Sequence, residues 1–201
     1  MGKWLKRVLI AAFVLEGVWA NTTFAGLYLQ ADGDTKLEIG RTAQALRAYR
    51  AAAWLLPCRQ RPRMRVAMCL AWLDRKDEAL ATLRGVVNRE PGVEEYRYRL
   101  ASLLLSLGKI DEAIAQCELG LQRHPGSRYL ESVLARALQK RGRAAEAVKA
   151  YEREAVSLWF DRFLIDFGGT LRETGRADEA ETLEKAAAVV RSQGRPSLPA
   201  P

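Results

Sequence analysis

The sequence predicts an all-α protein built as a stack of repeated helix pairs, an α-solenoid. Three observations predict it. Pro57, Pro91 and Pro125 stand 34 residues apart, and Ala45, Ala79, Ala113 and Ala147 keep the same step, with Ala180 following after 33. Two further series, Ala67–Ala101–Ala135–Gly168 and Leu70–Leu104–Leu138–Leu171, run in the same period, and Gly108, Gly142 and Gly175 punctuate it. Residue classes with unrelated chemistry share one period, which is the signature of a helix–turn–helix repeat.

Each class has a physical role. Alanine or glycine recurs where two helices must approach closely. The leucines form the apolar stripe of the first helix of each pair. Glycine between the helices supplies a C-terminal cap with positive φ. Acidic residues then open the second helix, as in Asp77-Glu78-Ala79, Asp111-Glu112-Ala113, Ala145-Glu146-Ala147 and Asp178-Glu179-Ala180, where they complement the helix dipole. Proline ends the second helix and begins the next unit.

Taken in order, the chain opens with a basic patch, Lys3, Lys6 and Arg7, followed by an apolar stretch from Val8 to Leu29. Its 22 residues, at about 1.5 Å each, match a bilayer core of about 30 Å. Residues 1–31 therefore read as an uncleaved membrane anchor, with Trp4 and Tyr28 at the interfaces. Two other readings stay open. One is a cleavable signal peptide with apolar run Val8–Leu15 and a cleavage signature at Val18-Trp19-Ala20; the other is a buried soluble helix. Glu16 weighs against the anchor unless it is neutral or paired. Lys3, Lys6 and Arg7 before the span, and Asp32, Asp34 and Glu38 after it, orient the N-terminus to the cytoplasm and the repeats to the far side of the inner membrane. No Leu-x-x-Cys lipidation signal precedes the mature region.

Residues 35–190 are expected to form the solenoid, as a half repeat and about four repeats. The half repeat shows a second helix between Ile39 and Pro57, with Ala45, Tyr49 and Ala52 on its packing face. Its first helix is not recognisable, because Asp32-Gly33-Asp34 falls in the middle of it, and Thr35-x-x-Glu38 offers a capping box. Repeats begin near Gln60, Glu94 and Arg128. A fourth begins near Asp161, one residue short, with Glu184 where an apolar residue is expected, as suits a polar terminal cap. Residues 191–201, with three prolines, read as a flexible tail.

A 34-residue period with this small–large pattern resembles the tetratricopeptide repeat family, over roughly residues 35–190. The resemblance implies a right-handed superhelix whose first helices line a concave face that binds peptides, helices or partner domains. It places Arg61, Met64 and Met68 on that face; then Glu95, Tyr98, Ser102 and Leu105; then Tyr129, Ser132, Arg136 and Gln139; then Arg162, Ile165 and Arg172. Met, Tyr and Arg are types enriched in interface cores. The paired Lys and Asn of the carboxylate-clamp subtype are missing: Met64 and Met68, Tyr98 and Ser102, and Ser132 and Arg136 stand there instead.

Composition narrows the function. Hydrophobic residues make up 49% of the chain and charged ones 28%, which is the balance of a folded protein. The formal charge of +8 favours acidic proteins, anionic lipid or nucleic acid as partners. Three cysteines, Cys58, Cys69 and Cys117, and a single histidine, His124, supply no metal or haem motif, so no metal and no cofactor is expected. His124 beside Pro125 reads as a solvated or helix-capping imidazole. No phosphate loop and no Ser/His/Asp arrangement is present, and no catalytic residue is assigned. Asp-Glu-Ala helix starts and groove methionines fit protein partners better than nucleic acid.

The expected function is a non-catalytic protein–protein interaction scaffold, an accessory subunit of a membrane complex held by its anchor helix and its groove. Glu16 and Asn21 are the expected contacts to partner helices, since polar groups in lipid usually face protein. The alternative is a transient assembly factor or adaptor, of the envelope or cytochrome biogenesis type, that holds client proteins in the groove.

Overall fold

The computed structural model describes the backbone of residues 3–154, 161–181 and 183–184, and the side chains of residues 17, 19–151, 166–181 and 183–184. The described chain is helical throughout: α1 (Lys3–Glu38), α2 (Thr42–Leu55), α3 (Arg61–Trp72), α4 (Lys76–Arg89), α5 (Glu94–Ser106), α6 (Ile110–Arg123), α7 (Arg128–Lys140), α8 (Ala144–Glu154) and α9 (Asp161–Glu173). Residues 177–181 and 183–184 are helical too. The chain divides into two units, Met1–Pro91 and Gly92–Pro201.

One turn recurs at every first-to-second helix junction. Gly40, Gly108, Gly142 and Gly175 adopt φ of +75°, +74°, +82° and +78°, and Asp74 takes the same place at +60°. The next residue in each turn donates its backbone N–H to the carbonyl five residues back: Arg41 to Lys36, Arg75 to Leu70, Lys109 to Leu104, Arg143 to Leu138 and Arg176 to Leu171, all at 2.8–3.0 Å. This is the Schellman motif, which satisfies the carbonyls a helix end leaves open. Asp74 is the one non-glycine; among side chains bearing a Cβ, Asp is one of the few that visits this region.

In the first unit, α1 and α2 pack antiparallel through two glycines of α1. A Cβ at Gly26 would lie 2.6 Å from Leu56 Cγ, and one at Gly33 would lie 2.7 Å from Tyr49 Cε1. Gly33 stands 34 residues before Ala67, so it occupies the small-residue position of a first helix. The expected half repeat therefore has its first helix after all: it is the C-terminal part of α1. Asp32 and Asp34 flank Gly33 without breaking the helix, because Asp32 pairs with Lys36 one turn on and Asp34 accepts from Tyr49 Oη at 2.6 Å.

One expectation about this region needs correction, and a second finds no support. Thr35 does not open a helix; it lies inside α1, and its hydroxyl donates to the Ala31 carbonyl at 3.1 Å. No helix among the described residues is long and apolar enough to cross a membrane, so the expected anchor is without structural support. From Gly17 onward, α1 interleaves Asn21, Thr22, Thr23, Gln30, Asp32 and Asp34 with its apolar residues, and the Thr22 and Thr23 hydroxyls turn back onto the Trp19 carbonyl. The side chains of Trp4 and of the Val8–Leu15 run lie outside the described residues, and α1 passes the boundary near residue 31 without a break.

The cores carry the periodic series. Ala45, Tyr49, Ala52, Ala67, Leu70, Ala79, Leu83 and Val86 are buried in the first unit. Leu100, Ala101, Leu104, Ala113, Cys117, Ala135, Leu138, Ala147, Tyr151 and Leu171 are buried in the second. Each buried Leu contributes roughly 1.5–3 kcal/mol relative to exposure. Gly120 lets α6 approach closely, since a Cβ there would meet Leu130 Cδ1 at 2.5 Å and Arg97 Cδ at 2.8 Å.

Candidate functional site

The accessible stripe of the first helices is the candidate site. In the second unit, Tyr98 on α5 and Tyr129 on α7 bring their rings to a centroid separation of 5.3 Å, tilted by 49°. Tyr98 is half-buried and Tyr129 is 59% exposed, so the pair presents an aromatic surface to solvent. The Arg99 guanidinium carbon lies 5.4 Å from the Tyr98 ring centroid, within cation–π reach, and Glu95 holds the Arg99 guanidinium at 3.6 Å. The two tyrosines stand 31 residues apart on adjacent first helices, about one helical turn short of the 34-residue repeat.

Further along the same helices the charges are already paired. Arg136 Nε lies 3.5 Å from Asp166 Oδ2, and the Gln139 amide donates to Glu173 at 3.3 Å, both joining α7 to α9. Arg172 donates to Glu184 at 2.6 Å. Glu184 is thus no vacancy in the terminal repeat: it stands in the position held by Tyr49, Leu83, Cys117 and Tyr151, against the small Gly168, and pairs outward. In the first unit, Arg65 on α3 pairs with Asp34 on α1 at 3.5 Å.

The structure sorts the residues chosen from sequence. Arg61, Tyr129 and Arg172 are exposed, and Met68, Tyr98, Ser102, Ser132, Arg136 and Gln139 are half-buried on the stripe. Met64 is fully buried and Leu105 is buried; both face their unit's core and offer nothing to a partner. The physical cause is a register of one residue. The accessible stripe of α3 runs Arg61, Arg65, Met68 and Trp72, and that of α5 runs Glu95, Tyr98 and Arg99, Ser102 and Ser106. Arg65, Trp72, Arg99 and Asp166 are additions that sequence reasoning missed; stepping every third or fourth residue from the 34-residue series finds the first three. Arg162, Ile165 and the Glu16 side chain lie outside the described residues, and Asn21 is exposed on α1.

The chemistry of the site is that of contact. His124 is half-buried, with Nε2 2.8 Å from the Gly92 carbonyl oxygen; it ties two loops of the second unit together rather than standing free in solvent. Cys69 and Cys117 are buried and Cys58 is exposed. Burial pushes the Cys69 thiol up to about 11 and the Cys117 thiol up to about 12, so neither is a ready nucleophile at neutral pH. Among the described residues, no group of three His, Cys, Asp or Glu could hold a metal ion.

The sequence pattern described as tetratricopeptide repeat matches residues 77–137. Within residues 77–137 the repeats are tetratricopeptide repeats. No protein of curated function matches the chain in sequence. Among solved structures, residues 41 to the end of MamA from Desulfovibrio magneticus RS-1 align at a TM-score of 0.73 and 15% identity, covering 85% of this chain and 97% of that one. A crystal structure of MamA aligns at 0.70 and 20% identity, covering 90% and 99%. TTC0263, a thermophilic tetratricopeptide repeat protein of Thermus thermophilus, aligns at 0.68 and 17% identity, covering 81% and 90%. At these identities the likeness is one of fold alone: an all-helical, tetratricopeptide-type solenoid fold.

Proposed function

We propose that this chain is a non-catalytic protein–protein interaction scaffold, and that its partner is held on the first-helix stripe with Tyr98 and Tyr129 as the aromatic anchor. The observation that carries this reading is the solvent-facing tyrosine pair at 5.3 Å. Aromatic side chains give large contact area at small entropic cost and dominate binding energy where they cluster. The neighbouring ion pairs leave the stripe charge-balanced, so apolar and phenolic hydrogen-bonding contacts select the partner.

The finer reading is an accessory subunit of a membrane complex, with the N-terminus in the cytoplasm and the repeats across the inner membrane. Supporting it are Lys3, Lys6 and Arg7 ahead of the Val8–Leu29 stretch, and the exposure of Trp19 and Phe24, each 71%, on α1. Glu16 and Asn21 are the polar groups that would meet partner helices.

The test is purification of the full chain from membranes in mild detergent, with mass spectrometry of what co-elutes, for the native protein and for Tyr98→Ala/Tyr129→Ala. A stoichiometric partner that the double variant loses, with helical circular dichroism unchanged, is the expected result. Identical partners with both proteins would overturn the tyrosine anchor. Sparse, substoichiometric partners that the tyrosines nonetheless control would replace the subunit by a transient adaptor.

A further inference from the structure

From Gly40 to Leu73 the chain contains no Asp or Glu and seven arginines, at 41, 47, 50, 59, 61, 63 and 65. The fold uses some of them locally. Arg65 pairs with Asp34, Arg50 lies 4.0 Å from Glu78, and Arg63 donates to the Pro57 carbonyl at 2.8 Å. Arg47, Arg59 and Arg61 are exposed, and no carboxylate among the described residues pairs with them.

The packing of the first unit gathers these arginines with aromatics. The approaches of Gly26 to Leu56 and of Gly33 to Tyr49 set an antiparallel register that puts Trp54 level with Tyr28, with Phe24 about one turn further along α1. Trp54 is 80% exposed, and Phe24 and Tyr28 are exposed as well. Arg47, Arg50 and Trp54 share one face of α2 at helical spacing. Arg59 and Arg61 follow at once in the connection to α3. One end of the unit therefore combines exposed aromatics with unpaired arginines, and α1 continues beyond that end towards Lys3.

We infer that this end of the first unit is a docking face for an anionic phospholipid surface. Arg59 and Arg61 meet the headgroup phosphates, and Trp54, Phe24 and Tyr28 sit at the interface. Charge complementarity argues for an anionic occupant, and arginine suits phosphate through its bidentate fork. The aromatics decide among anions. Trp and Tyr favour the membrane–water boundary, and the Val8–Leu15 run that lies ahead of this face gains from lipid but nothing from nucleic acid or an acidic protein. The inference concerns the first unit and does not rest on the tyrosine stripe of the second; insertion of α1 is a separate question, because Arg59→Glu/Arg61→Glu leaves α1 and its flanking Lys3, Lys6 and Arg7 unchanged.

Cys58, exposed within this face while the other two thiols are buried, is a reporter. The full chain, labelled at Cys58 with an environment-sensitive fluorophore, is mixed with phosphatidylglycerol–phosphatidylcholine vesicles and with pure phosphatidylcholine vesicles. The expected result is a blue shift on the anionic vesicles, weakened by salt as screening requires. Partitioning should favour the anionic vesicles by on the order of tenfold or more, given the attraction of each basic residue near such a surface. Arg59→Glu/Arg61→Glu should abolish both the shift and the preference with helicity unchanged, while Arg123→Glu/Lys149→Glu, an equal charge change in the second unit, should leave them. An undiminished preference in Arg59→Glu/Arg61→Glu, or an equal loss in the control, would overturn the inference. So would a fluorophore that ignores anionic vesicles and responds to polyglutamate or an oligonucleotide, which would make the occupant an acidic protein or nucleic acid.

Discussion

At the scale of single residues, glycines within helices have opposite meanings. A Cβ at Gly33 would press on the Tyr49 ring, which is buried and fixed by its bond to Asp34, whereas a Cβ at Gly85 in α4 meets nothing within 4 Å. Gly33→Ala should destabilise the chain by roughly 1–3 kcal/mol, the usual cost of overpacking. Gly85→Ala should stabilise it by about 0.5–1 kcal/mol through helix propensity. Urea denaturation of the two variants checks both signs, and Gly26, set against Leu56, should behave like Gly33. The cysteines give a second prediction at this scale. Folded-state values for Cys69 and Cys117 of about 11 and about 12 stand above the ordinary thiol value of 9.0. The folded state thus holds protons that the unfolded state releases. Their contribution is fully present below about pH 9 and is lost as pH rises through the folded values. Stability should fall between pH 9 and 11, and Cys69→Ala/Cys117→Ala should flatten that fall. At neutral pH a thiol reagent should modify Cys58 promptly and the other two only after unfolding.

At the scale of the element, the five turns are the most regular feature of the fold, and in four of them the basic residue that completes the turn takes on a second task. Arg75 grips Glu78 with two bonds of 2.6 and 2.7 Å. Arg143 holds Glu146 at 2.7 and 2.7 Å, Arg176 holds Glu179 at 2.7 and 2.6 Å, and Lys109 lies 3.8 Å from Glu112. The bond from the arginine keeps the Glu78, Glu146 and Glu179 carboxyls below the ordinary carboxylate range. A depressed carboxyl contributes stability that is present above its unfolded value and lost as pH falls through the folded one. The chain should therefore lose stability on acidification below about pH 4.5, the ordinary value for glutamate. The loss should be small because the pairs are exposed and screened, and Glu78→Gln/Glu146→Gln/Glu179→Gln should flatten that limb of the thermal denaturation profile. The glycine turns were legible in the sequence at 108, 142 and 175, because a glycine that returns at one place in every repeat marks a backbone position needing positive φ. The same turn at Asp74 was hidden, since nothing in an aspartate announces positive φ. The first helix of the first repeat was hidden for a related reason: Asp-Gly-Asp looks like a loop until Tyr49 is seen to need the space at Gly33 and to bond to Asp34.

At the scale of the whole chain, packing of apolar helix faces holds the fold. The cysteines are free, and no metal cluster is found among the described residues. Addition of a chelator or a reductant should leave the thermal denaturation midpoint unchanged, and a shift of several degrees with either would reveal a ligand or a bridge. What the sequence by itself determined is whatever repeats: the period, the helix pairing, and the small and large positions of the core. Periodicity survives in sequence because each repeat solves the same packing problem with the same few side-chain sizes. The tertiary structure alone decided which neighbour each side chain meets. It turned Met64 and Leu105 into the core, joined Tyr98 to Tyr129, paired Arg136 with Asp166 and Arg172 with Glu184, and brought Trp54 level with Tyr28. Those outcomes depend on helix rotation and on interhelical register, and a shift of one residue along a helix, about 100° of turn, is enough to carry a side chain out of the core without changing the period.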